Sequence, residues 1–168
     1  MKQPFLLLID GMTGAGKTTV SGLLSKEIPR LAVIGMDKVK RFISDFERGE
    51  RDNGIAKDVV FEMTKKYLDY DISVIVEQPF KTYEELERYE EISKKYKIPL
   101  YKVQLFTSPE IALNRVLNRQ KNLEFKISED RIKRNIDFFE KKDKGFLVID
   151  TSDISSEEVK SKIVDTIG

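Results

Sequence analysis

Neither cysteine nor histidine occurs in the chain. Without thiols there is no disulfide framework and no thiolate metal site, and without imidazole the commonest general base is excluded. Any acid–base catalysis therefore falls to Asp or Glu. Charge of one sign is lacking too: 30 Lys and Arg against 29 Asp and Glu leave a net charge of +1. No global field marks nucleic acid or an anionic membrane as partner. Long apolar runs are missing. The first, Phe5-Leu6-Leu7-Leu8-Ile9, is too short for a signal-peptide core or a membrane span, so a cytoplasmic location without membrane partners is expected. At 168 residues the expectation is one domain, 1–168, around a single core.

What is there begins directly after that run. Gly11-Met12-Thr13-Gly14-Ala15-Gly16-Lys17-Thr18 fits G-x-x-x-x-G-K-[ST] at every fixed position. An apolar strand precedes it, and Val20, Leu23, Leu24 and Ile28 follow at helical spacing. Such a turn presents bare backbone N–H groups to a phosphate chain. On this reading Gly11, Gly14 and Gly16 keep side chains away where the phosphates lie closest. Lys17 reaches the β- and γ-phosphates, Thr18 is left to ligate Mg²⁺, and Thr19 continues the helix whose N-terminus attracts the anion. The expected cofactors are ATP and Mg²⁺.

Further apolar runs mark strands at Leu31 to Met36, Ile72 to Val76, Leu100 to Thr107 and Gly145 to Asp150. Helical periodicity lies between them, including a short helix drawn through Val39, Phe42, Ile43 and Phe46, and a loop is expected over Glu47 to Gly54. Thr82 with Glu85, and Ser155 with Glu158, have capping-box spacing; Ser108-Pro109 and Ser128 open two more helices. On the helix opened by Thr82, Glu84/Arg88, Glu90/Lys94 and Glu91/Lys95 have the spacing of surface pairs. Five strands alternating with helices predict a doubly wound α/β sheet. In such sheets ligands sit outside the carboxyl ends of the strands, where the phosphate loop, Asp37, Glu77, Thr107 and Asp150 fall.

Phosphoryl transfer to a hydroxyl needs a group that orients or takes the proton. Asp37, just past the second strand, is the candidate base, with capping of a helix at Lys38 as the competing job. Glu77 is a candidate for the metal or for an acceptor hydroxyl; Asp10 either joins it or braces the turn. Arg115 and Arg119, one turn apart before an aperiodic segment at Gln120 to Ile127, are candidates to meet the transferring phosphoryl, or form a solvated basic face with Arg131 and Arg134. Lys40 and Arg41 could hold an anionic group of the acceptor, and Phe80 could wall its pocket or belong to the core.

At these residues the chain resembles the small phosphate-loop kinases, and more closely the branch of polynucleotide 5′-hydroxyl kinases, chloramphenicol phosphotransferases and zeta-toxin-like kinases. The segments that carry the resemblance are GMTGAGKTT, MDKVKR, the strand ending at Glu77, SPEIALNRVLNR and VIDTS. IDGMTGAGKTT is also similar to nucleoside and thymidylate kinases. The resemblance implies a P-loop NTPase fold, a five-stranded parallel sheet of order 2-3-1-4-5 with helices on both faces, and a small lid at about 119–131. It implies that Asp37 activates the acceptor hydroxyl, that Lys40 or Arg41 contacts the acceptor, that Arg119 lies near the adenine, and that Asp150-Thr151-Ser152 borders the base. Lys38 and Val39 stand where many members carry a further Asp or Arg.

The function expected is transfer of the γ-phosphate of ATP to a small molecule or nucleotide. Two alternatives stand beside it: a polynucleotide 5′-hydroxyl kinase, with Lys40, Arg41, Arg48 and Arg51 as a basic track, and a regulatory NTPase switch acting through a partner.

Overall fold

The computed structural model describes residues 3–47, 49–121, 126–141 and 145–168. Arg48 and the middle of the expected lid, 122–125, lie outside the described residues. The element order is β1 (Leu6–Gly11), α1 (Lys17–Glu27), β2 (Leu31–Gly35), α2 (Met36–Lys40), α3 (Glu50–Leu68), β3 (Ser73–Glu77), α4 (Tyr83–Tyr96), β4 (Leu100–Phe106), α5 (Pro109–Gln120), α6 (Glu129–Asp137), β5 (Leu147–Asp150) and α7 (Ser156–Ile167). All strand pairings are parallel and the order is β2-β3-β1-β4-β5, as the resemblance implied.

β1 is central, so both its faces are covered and an unbroken apolar run is what such a strand requires. Leu7 and Ile9 join Ile75, Val103 and Leu105 under Val20 and Leu24 of α1, Ala112 and Val116 of α5 and Val159 and Ile163 of α7. Leu6 and Leu8 face the other way, with Val74 and Val76 under Val39 of α2, Ala56 and Val60 of α3 and Tyr89 and Ile92 of α4. Each helix buries one stripe, and the sheet is the middle of three layers.

Three local expectations are corrected. The helix after β2 ends at Lys40; Phe42 lies in the following turns with 78% of its surface exposed. α3 starts at Glu50, inside the stretch expected to be loop, because buried Asp52 accepts a hydrogen bond from the Glu47 N–H (2.6 Å) and ties the preceding turn to the helix start. On α4, Arg88 and Glu90 pair across elements with Asp58 and Lys102 in place of the expected partners along the helix. The capping box at Ser155 and Glu158 forms in full, and Thr82 accepts from the Glu85 N–H.

Tyr89 is 2% exposed, and among the described residues its hydroxyl has no hydrogen-bond partner. Its ring meets Phe61 and Phe80 edge-on, and burial pushes the phenol pKa upward. Removing an unpaired buried hydroxyl relieves a desolvation cost. Tyr89→Phe is expected to raise stability by about 1 kcal/mol, or a few degrees in Tm, read by calorimetry; a fall of similar size would mean that the hydroxyl has a partner.

Candidate active site

The site gathers where four strands end. Ile9 and Gly35 both register with Glu77, so the loop after β1, the start of α2 and the Glu77 side chain are neighbours at the carboxyl edge. A cavity of about 470 Å³ opens there, lined by the phosphate loop from Thr13 to Thr19, by Asp37, Arg115 and Arg119, and by Thr151, Ile154 and Val159. It runs from the loop towards the turn after β5.

The glycines divide by role, which corrects the expectation that all three clear space for phosphate. A Cβ on Gly11 (φ +145°) would lie 2.1 Å from the Leu105 carbonyl oxygen, and one on Gly14 (φ +84°) would lie 2.6 Å from that of Ala112. Those two let the loop press against β4 and α5. Only Gly16 (φ +91°) has open space where a Cβ would be, and it lines the cavity.

Lys17 folds back over this loop, its ammonium donating to the carbonyls of Gly11 (2.6 Å) and Met12 (3.0 Å). Burial lowers its pKa, the negative charges of Asp10, Glu77 and Asp37 raise it, and Arg119 lowers it. The three carboxylates and Arg119 are thus close enough to share one electrostatic field with Lys17.

Asp10 and Glu77 separate clearly. Asp10 accepts from the Gly11 N–H at 2.7 Å, with the Gln104 amide 3.4 Å from its other oxygen, and so braces the turn. Glu77 accepts from the Thr18 hydroxyl at 3.2 Å, and its second oxygen is buried with no hydrogen-bond partner among the described residues. A carboxylate and a hydroxyl in contact, with one carboxylate oxygen unmet, suit a hard cation that takes its remaining ligands from phosphates and water. Thr18 and Glu77 therefore fit Mg²⁺.

Asp37 is not a helix cap: α2 begins at Met36, with Gly35 as its N-cap. Its side chain is 80% exposed and one oxygen accepts from the Lys40 ammonium at 3.2 Å. Lys40 itself is buried, donating also to Asn53 Oδ1 at 3.0 Å, with its charge 5.7 Å from the Phe46 ring centre. This corrects its expected contact with the acceptor. Arg41 and Arg51 are exposed. Phe80 is 1% exposed and packs on Tyr89 in the core, so its expected place in the acceptor wall is corrected as well.

Arg115 and Arg119 both line the cavity, yet they differ. Arg115 forks onto Thr151, donating to its hydroxyl (3.2 Å) and its carbonyl (2.9 Å). The Thr151 hydroxyl lies 3.1 Å and 3.2 Å from the carbonyls of Phe106 and Ala15. One threonine thus joins β4, α5 and the phosphate loop. At the base of the expected lid, the Gln120 amide brackets Ile127, donating to its carbonyl and accepting from its N–H. The roles of Asn53, Gln104 and Gln120 were missed from sequence, because a lone amide carries no periodic or motif signal. Among the described residues no group of three or more acidic side chains could hold a metal, and no helix is long and apolar enough to cross a membrane.

A phosphate loop leading from the central strand into a helix, in a sheet of this order, defines a P-loop nucleotide-binding fold. The chain belongs to the AAA-domain family, whose model matches residues 6–141. No curated protein matches at a significant level. Among solved structures, it is similar to the Mycobacterium tuberculosis APS kinase CysC in complex with AMPPNP and APS, with 16% identity over 99% of both chains and a TM-score of 0.69. A Deinococcus radiodurans tunicamycin resistance protein is 13% identical over 99% of this chain and 96% of that one, with a TM-score of 0.69. A chain of the Pnkp1/Rnl/Hen1 RNA repair complex is 15% identical over 82% of this chain and 44% of its own length, with a TM-score of 0.66. At these identities the likeness is one of fold.

Proposed function

We propose that the protein is an ATP-dependent kinase that transfers the γ-phosphate to a hydroxyl or phosphate of a small molecule or nucleotide, with Asp37 as the base when the acceptor is a hydroxyl. The observation that carries this reading is the Asp37 carboxylate, exposed on the wall of the same cavity as Lys17 and, among the described residues, held through one oxygen. The triphosphate would lie along the N–H groups of the loop, past Gly16, with the base towards Thr151, Ile154 and Val159. Thr18 and Glu77 would hold Mg²⁺, which when bound neutralises phosphate charge.

In the transfer to a hydroxyl, the acceptor oxygen attacks the γ-phosphorus and its proton passes to the free oxygen of Asp37. The bond from the γ-phosphorus to the β–γ bridging oxygen breaks, and ADP leaves with Lys17 beside its phosphates. Arg119 is the arginine of the pair left to approach the γ-phosphoryl, since Arg115 is engaged with Thr151. The similarity of the fold to kinases such as APS kinase supports this class. The nucleic-acid alternative loses Lys40 from its basic track and keeps exposed Arg41 and Arg51.

Asp37→Asn removes the proton acceptor and the charge that Lys40 pairs with, while the phosphate loop that would hold ATP keeps its own contacts. The variant is expected to bind ATP within about twofold of wild type and to lose transfer to a hydroxyl by a factor on the order of 10²–10⁴, measured by calorimetric titration and acceptor phosphorylation. Transfer at the wild-type rate would remove Asp37 as base.

A further inference from the structure

Lys40 is an odd occupant for its site. Its side chain is 7% exposed, whereas the carboxylate it pairs with, Asp37, is 80% exposed. Burying an ammonium is costly unless it is well paired, and here its other contacts are a neutral amide, Asn53 of α3, and the face of Phe46. An apolar side chain of the same length would fill this space between α2 and α3 with no desolvation cost. A cation is needed only if its charge serves something outside the core.

What it serves is visible in the geometry. The ammonium donates to Asp37 Oδ1, and among the described residues none donates a hydrogen bond to the other oxygen. The ammonium is also met by Asn53, on α3, and by the ring of Phe46, in the loop between α2 and α3. An exposed aspartate on a helix of five residues would otherwise sample several rotamers. We infer that Lys40 is a positioning residue: anchored by Asn53 and Phe46, it locks the Asp37 carboxylate in one orientation, so that one oxygen is held and the other is presented to the acceptor. Lys40 then never touches the acceptor, and its contribution lies in turnover rather than in binding. The inference rests on Asp37 being the base as far as turnover is concerned; the locking itself does not.

The test separates the two. In uniformly ¹³C,¹⁵N-labelled protein, the three-bond couplings from Asp37 Cγ to the backbone nitrogen and carbonyl carbon report its χ1 rotamer without any acceptor. Wild type is expected to show the couplings of one rotamer, and Lys40→Met those of an average, while the Asp58 carboxylate in the middle of α3, paired with Arg88, stays as it was. Since Met replaces a buried charge at similar volume, Lys40→Met should melt at or above the wild-type temperature. Its transfer rate to an acceptor found by the panel described at the end of the Discussion should fall about ten- to a hundredfold, with the KM for ATP within about twofold. Unchanged Asp37 couplings in Lys40→Met would overturn the inference whatever happens to activity. Averaged couplings with full activity in Asp37→Asn would instead sink the base and leave the locking intact. Should Lys40→Met not fold, Asn53→Ala removes the rear anchor alone and is expected to show partial averaging; wild-type couplings there would count against the anchor.

Discussion

Lys17→Ala is expected to abolish measurable phosphoryl transfer, a loss on the order of a thousandfold or more in kcat/KM. The reason is charge placed in a partly desolvated site. The ammonium lies over the loop, within the field of three carboxylates, where a triphosphate would add further negative charge. Burial has already lowered the pKa of Lys17, so the site holds this cation at a desolvation cost that a bound phosphate offsets. Its present bonds to the Gly11 and Met12 carbonyls preset the chain's direction across the loop. Alanine removes both the charge and this tether. The check is transfer kinetics beside a calorimetric titration of ATP, in which affinity should fall as well as turnover. A variant with wild-type turnover would mean that the loop does not handle the reacting phosphates.

Gly11→Ala is expected to act on the fold itself. The new Cβ would stand 2.1 Å from the Leu105 carbonyl oxygen and 2.8 Å from its nitrogen, both backbone atoms of β4. It cannot be turned away, because φ there is +145° and because Gly11 and Leu105 are partners in the β1–β4 register. The end of β1 would have to leave β4, and with it the Met12 N–H bond to Leu105 at 2.9 Å. A cost of about 4 kcal/mol or more follows, with Tm lower by ~10 °C or more or no folded protein at all. Gly16→Ala is the contrast: nothing stands within 4 Å of its Cβ position. Only the left-handed backbone resists, at about 1–2 kcal/mol. That variant should fold and lose ATP affinity. Thermal melts of the two variants side by side test the division of labour among the glycines, and equal melting temperatures would refute it.

That division marks the limit of what the chain discloses by itself. The phosphate loop was legible because its pattern is local: strand, turn and helix follow one another over a few residues. The glycines looked alike in sequence since their partners, Leu105 and Ala112, are about a hundred residues away. Asp37 was legible as the acid after β2, and its release from the capping role became visible only when α2 was found to begin at Met36. Lys40 and Arg41 were equivalent candidates on paper. The fold turns the first inward onto Asn53, a contact that depends on α3 starting within a stretch whose Asp, Asn and Gly read as loop chemistry. Thr151 likewise carries no signature of its own; its hydroxyl matters because β4 and the phosphate loop bring two carbonyls to it. The strand order came from the resemblance, since alternating strands and helices alone fit several doubly wound sheets.

In the proposed reaction the γ-phosphate of ATP moves to an acceptor with Asp37 assisting. This is tested most directly by incubating the protein with γ-labelled ATP and Mg²⁺ and a panel of nucleoside monophosphates, nucleosides, 5′-hydroxyl oligonucleotides and hydroxylated metabolites. Label is expected on one acceptor class, and where that acceptor is a hydroxyl, it is lost in Asp37→Asn. Label released only as inorganic phosphate, at a rate set by an added protein partner and unchanged in Asp37→Asn, would contradict it and favour the switch.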